Sequence, residues 1–178
     1  MIIIKLRNGV IVVLNSENYI VEFVILEETY YCIWYSDDED LFWLSDNKIL
    51  FFKSIEQITL YCERQRLCVE EEISVYDFNT LLDWLKGSHS QINCEYLLRM
   101  WNIISDFSHS INAKFSDSDD QLNQIYEKLF FGNNLPGINL TNQKYCPTFS
   151  QIEQQLLVEL FKKGINIIEK EFQIKQLL

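Results

Sequence analysis

Two histidines, five cysteines and two dense carboxylate runs are the residues of this chain with the types to do chemistry. His89 falls in Gly87-Ser88-His89-Ser90, a composition that suits a surface loop. His109 falls in Ser108-His109-Ser110 near the end of an expected helix, where a cation beside the free carbonyls is favoured. Histidine is the usual acid–base and metal-ligating side chain, but a Cys–His nucleophile pair would have to be assembled by the fold. Cys32, Cys62, Cys68, Cys94 and Cys146 are odd in number and scattered, and no two have CxxC spacing. A disulfide framework or a zinc site is not expected from them. Asp37-Asp38-Glu39-Asp40 looks like a calcium loop only in composition, because it lacks the alternating oxygen spacing, the central glycine and the closing glutamate. Asp117-Ser118-Asp119-Asp120 is explained more simply as a helix start. Walker, dinucleotide-glycine, GxSxG and HExxH motifs are absent. No catalytic residue, cofactor or metal site is assigned, and the chain is not expected to be an enzyme.

Charge is the stronger signal. The chain carries 26 Asp/Glu against 15 Lys/Arg, a net of −11. Residues 1–86 hold 16 acidic against 7 basic residues, whereas residues 87–178 hold 10 against 8. The densest points are Asp37, Asp38, Glu39 and Asp40, and then Glu70, Glu71 and Glu72. Aromatic residues flank the first run: Trp34 and Tyr35 before it, Phe42 and Trp43 after it. Along a strand such residues alternate between faces, so some of them must point away from any single core. Aromatic side chains supply desolvated anchors at interfaces. The candidate partner-binding set is therefore Trp34, Tyr35, Asp37, Asp38, Glu39, Asp40, Phe42, Trp43, Glu70, Glu71 and Glu72. A negative face repels nucleic acid and anionic membranes and suits a basic protein partner.

The elements that must hold these residues change character along the chain. Ile2–Leu6 and Val10–Leu14 flank Arg7-Asn8-Gly9, a hairpin signal. Tyr19–Leu26 and Thr29–Tyr35 flank Glu27-Glu28. Leu41–Leu44 and Ile49–Phe52 flank Ser45-Asp46-Asn47-Lys48. All are rich in β-branched and aromatic residues. Ser54-Ile55-Glu56-Gln57 reads as a capping box opening a helix over about 55–65, with Leu67-Cys68-Val69 as a returning strand. From Tyr76 the period is helical. Asp77 caps a helix carrying Phe78, Leu81, Leu82 and Leu85 that stops at Gly87. Further helices are expected over about 92–111, from 116–120 to Gly132, and from Ser150-Gln151-Ile152-Glu153 to Gly164, followed by a tail read as helix. Gly132-Asn133-Asn134-Leu135-Pro136-Gly137 reads as a turn cluster that fixes a loop.

Strands before helices predict an α+β fold, a mostly antiparallel N-terminal sheet with C-terminal helices packed on it. One domain over 1–178 is expected, strand-rich over 1–75 and helical over 76–178. No stretch is apolar for the length a membrane helix needs, and the N-terminus lacks the order of a signal peptide. The expectation is a cytoplasmic protein, complete at its N-terminus, that touches neither membrane nor nucleic acid.

From residue 76 the order of motifs resembles a known group. Tyr76-Asp77-Phe78 with Trp84-Leu85, Trp101-Asn102-Ile103-Ile104 with Asp106, Ile125-Tyr126-Glu127-Lys128-Leu129-Phe130, Gly132-Asn133-Asn134-Leu135-Pro136 and Tyr145-Cys146-Pro147 carry the likeness. It is to immunity proteins of bacterial contact-dependent growth inhibition toxin systems. The resemblance implies a non-enzymatic protein that neutralises one cognate toxin domain, often a basic nuclease, by tight stoichiometric binding. The matching residues look like fold determinants, so no functional residue carries over from them. The alternatives are an acidic interaction or adaptor domain outside any toxin system, or a Cys/His hydrolase.

Overall fold

The computed structural model describes residues 3–7, 10–14, 17–87, 92–116, 119–136 and 144–174. His89, the Asn8-Gly9 turn, Gly137 and residues 175–178 of the tail lie outside them. The fold is α+β, with strands in the first part of the chain and mainly helices in the second. The chain divides into two compact units, Met1–Asn79 and Thr80–Leu178.

In the first unit, β1 (Ile3–Arg7) and β2 (Val10–Leu14) pair antiparallel with Arg7 opposite Val10, as the hairpin signal requires. The main sheet is built on β3 (Glu17–Ile25) and β4 (Glu28–Ser36). A turn at Glu27-Glu28 would pair Leu26 with Thr29. Instead the turn sits at Leu26-Glu27 and Ile25 pairs with Glu28. The shift keeps Ile25 buried and sends Leu26 into solvent at a positive φ of 56°. The side chain of Asn79 holds it there, accepting from the Leu26 amide at 2.7 Å and donating to its carbonyl at 3.3 Å.

The stretch after β4 is more broken than its composition suggests. β5 (Asp40–Phe42) and β8 (Phe51–Phe52) both pair with β4. Between them β6 (Leu44–Ser45) and β7 (Lys48–Ile49) form a small hairpin. Its turn residues Asp46 and Asn47 both have positive φ, the backbone that a tight primed turn demands. Next comes α1 (Ile55–Gln65), capped by Ser54, whose Oγ accepts from the Gln57 amide. Gln57 reaches back one residue further than a capping box does, to the Lys53 amide. Leu67-Cys68-Val69 is not a strand. The returning strand is β9 (Ser74–Asp77), which runs parallel to β3 and gives the order β5-β4-β3-β9. A parallel return needs a long crossover, and α1 with the chain up to residue 73 supplies it.

Both faces of this sheet bury apolar side chains. Ile20 and Ile33 meet Ile58 and Cys62 of α1, with Tyr31, Trp43, Phe52, Tyr61 and Leu67 around them. On the opposite face lie Val21, Phe23, Cys32 and Phe42, all nearly fully buried. Phe23 meets Phe42, Tyr76 and Phe78 edge-on or tilted at 5.5–5.9 Å.

The unit border falls inside α2 (Phe78–Leu85). The second unit continues with α3 (Cys94–Ser110), α4 (Asp120–Gly132) and α5 (Gln151–Phe172). Asn93, Asp119 and Ser150 cap them, each accepting a hydrogen bond from an unpaired first-turn amide. Ser150 and Glu153 form the full capping box read from the sequence. Trp101 is the hub of this unit, meeting Phe115, Tyr126 and Phe161 edge-on. Gly164 does not stop α5. A β-carbon there would stand 2.7 Å from Ile104 and 2.9 Å from Phe115, so this glycine serves close helix approach and the helix runs through it.

Candidate functional site

The two acidic runs lie about thirty positions apart in sequence, yet the sheet brings them to one end. The register places Glu17 opposite Ser36, and Ser36 opposite Asp40, in a row across β3, β4 and β5. Neighbouring strands lie about 4.8 Å apart, so Glu17 and Asp40 share one short edge. Asp37–Glu39 form the loop beyond β4, drawn in by a bond from the Asp37 amide to the Glu39 carbonyl.

The second run arrives from α1. Arg66 ends that helix in the left-handed conformation, with its amide bonded back to the last turn. The chain then turns along β3, and the Glu70 amide donates to the Asn18 carbonyl at 2.8 Å. Asn18, only 3% exposed, fixes this approach. Its Nδ2 donates to the Cys68 carbonyl and its Oδ1 accepts from the Trp43 indole N–H.

Tyr19 senses both runs. Its hydroxyl donates to Glu17 Oε2 at 2.5 Å. That bond is the main reason its pKa is raised above the ordinary 10.0. Burial and the charges of Glu17, Glu70 and Asp40 push in the same direction. The Tyr19 ring rests against Trp34, its cross-strand partner, at 5.3 Å and tilted by 49°. Glu17 and Tyr19 do not stand out in the sequence as members of this surface. The signal for them is the β3–β4 pairing, which is visible only once the turn is correctly placed.

The sequence-derived residues separate by exposure. Asp37, Asp38, Glu39, Asp40, Glu70, Glu71 and Glu72 are exposed. Among the described residues, Asp37, Asp38, Asp40, Glu70, Glu71 and Glu72 form no ion pair. Trp34 and Tyr35 are half-buried, on opposite faces of β4. Trp43 is half-buried too, packed on the α1 side and tied to Asn18. Phe42 is 2% exposed and stacked toward Phe23, which makes it a core residue with no surface to offer a partner. The half-buried aromatic residues at this end are thus Tyr19 with Trp34 on one face, and Tyr35 and Trp43 on the other.

Of the other chemistry-bearing residues, Cys68 lies at this end, exposed, with its carbonyl bonded to Asn18. Among the described residues, no group of three His, Cys, Asp or Glu side chains is placed to hold a metal ion. Cys32 is fully buried and burial pushes its thiol well up, which removes it as a nucleophile. His109 is exposed in the last turn of α3. Asn134 confirms the loop-fixing role of its turn cluster. Its Nδ2 donates to the Gly132 and Tyr145 carbonyls, and its Oδ1 accepts from the Tyr145 amide.

Comparison with known proteins adds a fold likeness. No family model matches the chain and no curated relative does. The chain is similar to a solved structure described as the SatS C-terminal domain in complex with bromine. The TM-score is 0.51 at 14% identity, covering 88% of this chain and 91% of that one. At this identity the likeness concerns the fold alone. No helix among the described residues is long and apolar enough to cross a membrane.

Proposed function

We propose that this chain is an immunity protein that neutralises a cognate bacterial toxin domain by stoichiometric binding, with the acidic end of the first unit as its docking surface. The observation that carries this reading is the convergence of Glu17, Asp37–Asp40 and Glu70–Glu72 beside the Tyr19–Trp34 pair. The first unit holds 15 acidic against 6 basic residues, so its field is strongly negative. The partner that fits is a basic domain, such as a nuclease whose own nucleic-acid face is cationic. Arginine suits both halves of the surface, because its guanidinium pairs with carboxylates in a fork and stacks on aromatic rings. Charge would steer the encounter and the aromatic pair would slow dissociation.

Co-purification and calorimetry with a toxin domain encoded immediately upstream test the proposal. A one-to-one complex, together with protection of cells expressing that toxin, is the expected outcome. Absence of both binding and protection would remove the reading.

A further inference from the structure

A second set of groups comes together in the helical unit, independent of the acidic end. Cys94 is the first residue of α3, Gly132 the last of α4, and Cys146 lies in the segment that leads into α5. Gly132 has no positive φ to explain it. Space explains it instead. A β-carbon at 132 would stand 2.6 Å from the Cys94 sulfur and 2.9 Å from Cγ of Pro147. The Cys94 thiol and the residue that follows Cys146 therefore fill the same small hollow left by the missing side chain. The Asn134 clamp on both polar groups of the Tyr145 backbone holds the Cys146 segment against this hollow. Pro147 further restricts Cys146 to extended backbone.

We propose that Cys94 and Cys146 are a peroxide-sensitive thiol pair that closes to a disulfide and ties the start of α3 to the segment entering α5. The two thiols differ in the way such a pair requires. Cys146 is exposed and meets the oxidant first, whereas Cys94 is half-buried. Burial chiefly, and the nearby Cys146 charge, raise the Cys94 pKa. In that step the Cys146 thiolate sulfur attacks one oxygen of hydrogen peroxide. The O–O bond breaks, hydroxide leaves and Cys146 becomes a sulfenic acid. The Cys94 sulfur then attacks the Cys146 sulfur. An S–S bond forms, the S–O bond breaks, and the departing hydroxide takes the Cys94 proton as water. Two thiols and one peroxide give one disulfide and two waters.

Peptide mapping of the intact reduced chain, treated with a few equivalents of hydrogen peroxide and alkylated without reductant, tests this. The expected product is a pair of peptides joined through Cys94 and Cys146, two hydrogens lighter than the reduced pair and released by dithiothreitol. Cys68→Ser should keep the link and Cys146→Ser should abolish it. Cys94→Ser should leave Cys146 as a sulfenic acid that dimedone traps. Oxidation of wild-type Cys146 to sulfinic or sulfonic acid with Cys94 still alkylated would overturn the proposal. So would a link that pairs either cysteine with Cys62 or Cys68. The wild-type map decides the matter even if a variant fails to fold.

Discussion

Tyr19 reports the field at the acidic end, because its hydroxyl is bonded to one carboxylate and lies near two others from distant parts of the sequence. Its raised pKa therefore has a direct test. Glu17→Gln removes the hydrogen-bonded carboxylate and should lower the Tyr19 pKa toward 10.0, the largest single change. Glu70→Gln and Asp40→Asn should each lower it by less. Ultraviolet titration of tyrosinate reads these shifts, with a Tyr19→Phe control to assign the signal. An unchanged titration in Glu70→Gln would place the second run away from Tyr19. At this scale the sequence showed which residues were charged. It did not show which aromatic residues remained outside. Phe42 and Trp43 stand side by side in the chain, but the β4 register puts Phe42 in the core and the Asn18 contact holds Trp43 beside α1. Those outcomes depend on strand partners, Trp34 eight positions and Asn18 twenty-five positions away.

Elements defined by nearby residues were readable, and elements defined by distant pairing were not. α1 and α5 begin where their serine caps predicted, because a cap is settled within four residues. The sequence places the returning strand at Leu67-Cys68-Val69 and starts the helical period at Tyr76, whereas only the parallel partner β3 makes Ser74–Asp77 a strand. Helix propensity, which is local, makes Gly164 look like a stop, whereas its reason is the side chains of Ile104 and Phe115. Gly164→Ala would favour the helix by about 1 kcal/mol, but it forces a methyl group into contacts under 3 Å. Overpacking of this kind costs about 1–3 kcal/mol, so denaturant unfolding should show net destabilisation. A second test concerns the α4–α5 pair. The Lys128 ammonium, 2.6 Å from Glu153, is the main cause that lowers the Glu153 pKa below its ordinary 4.5. A depressed carboxylate contributes stability that is complete above the unfolded value and is lost as pH falls through the folded one. Lys128→Met should weaken that acid-side loss, and unfolding midpoints measured on both sides of pH 4.5 would register the difference.

At the scale of the whole molecule, the negative charge has a place as well as a size. The first unit carries a net −9 of the total −11, and eight of its fifteen carboxylates meet at one end of one sheet. Composition alone allowed solubility as the reason for such an excess. Convergence of separate runs beside the Tyr19–Trp34 pair supports the proposed docking surface for a basic partner. The measurement that tests this most directly is stopped-flow association with the cognate toxin domain at low and high salt. It compares the parent chain with a variant in which Asp37, Asp38 and Asp40 become Asn and Glu39 becomes Gln. The account predicts an association rate about tenfold lower for the variant at low salt, a weaker salt dependence, and rates that converge at high salt. Equal rates at low salt would contradict it and remove this end of the sheet from the interface.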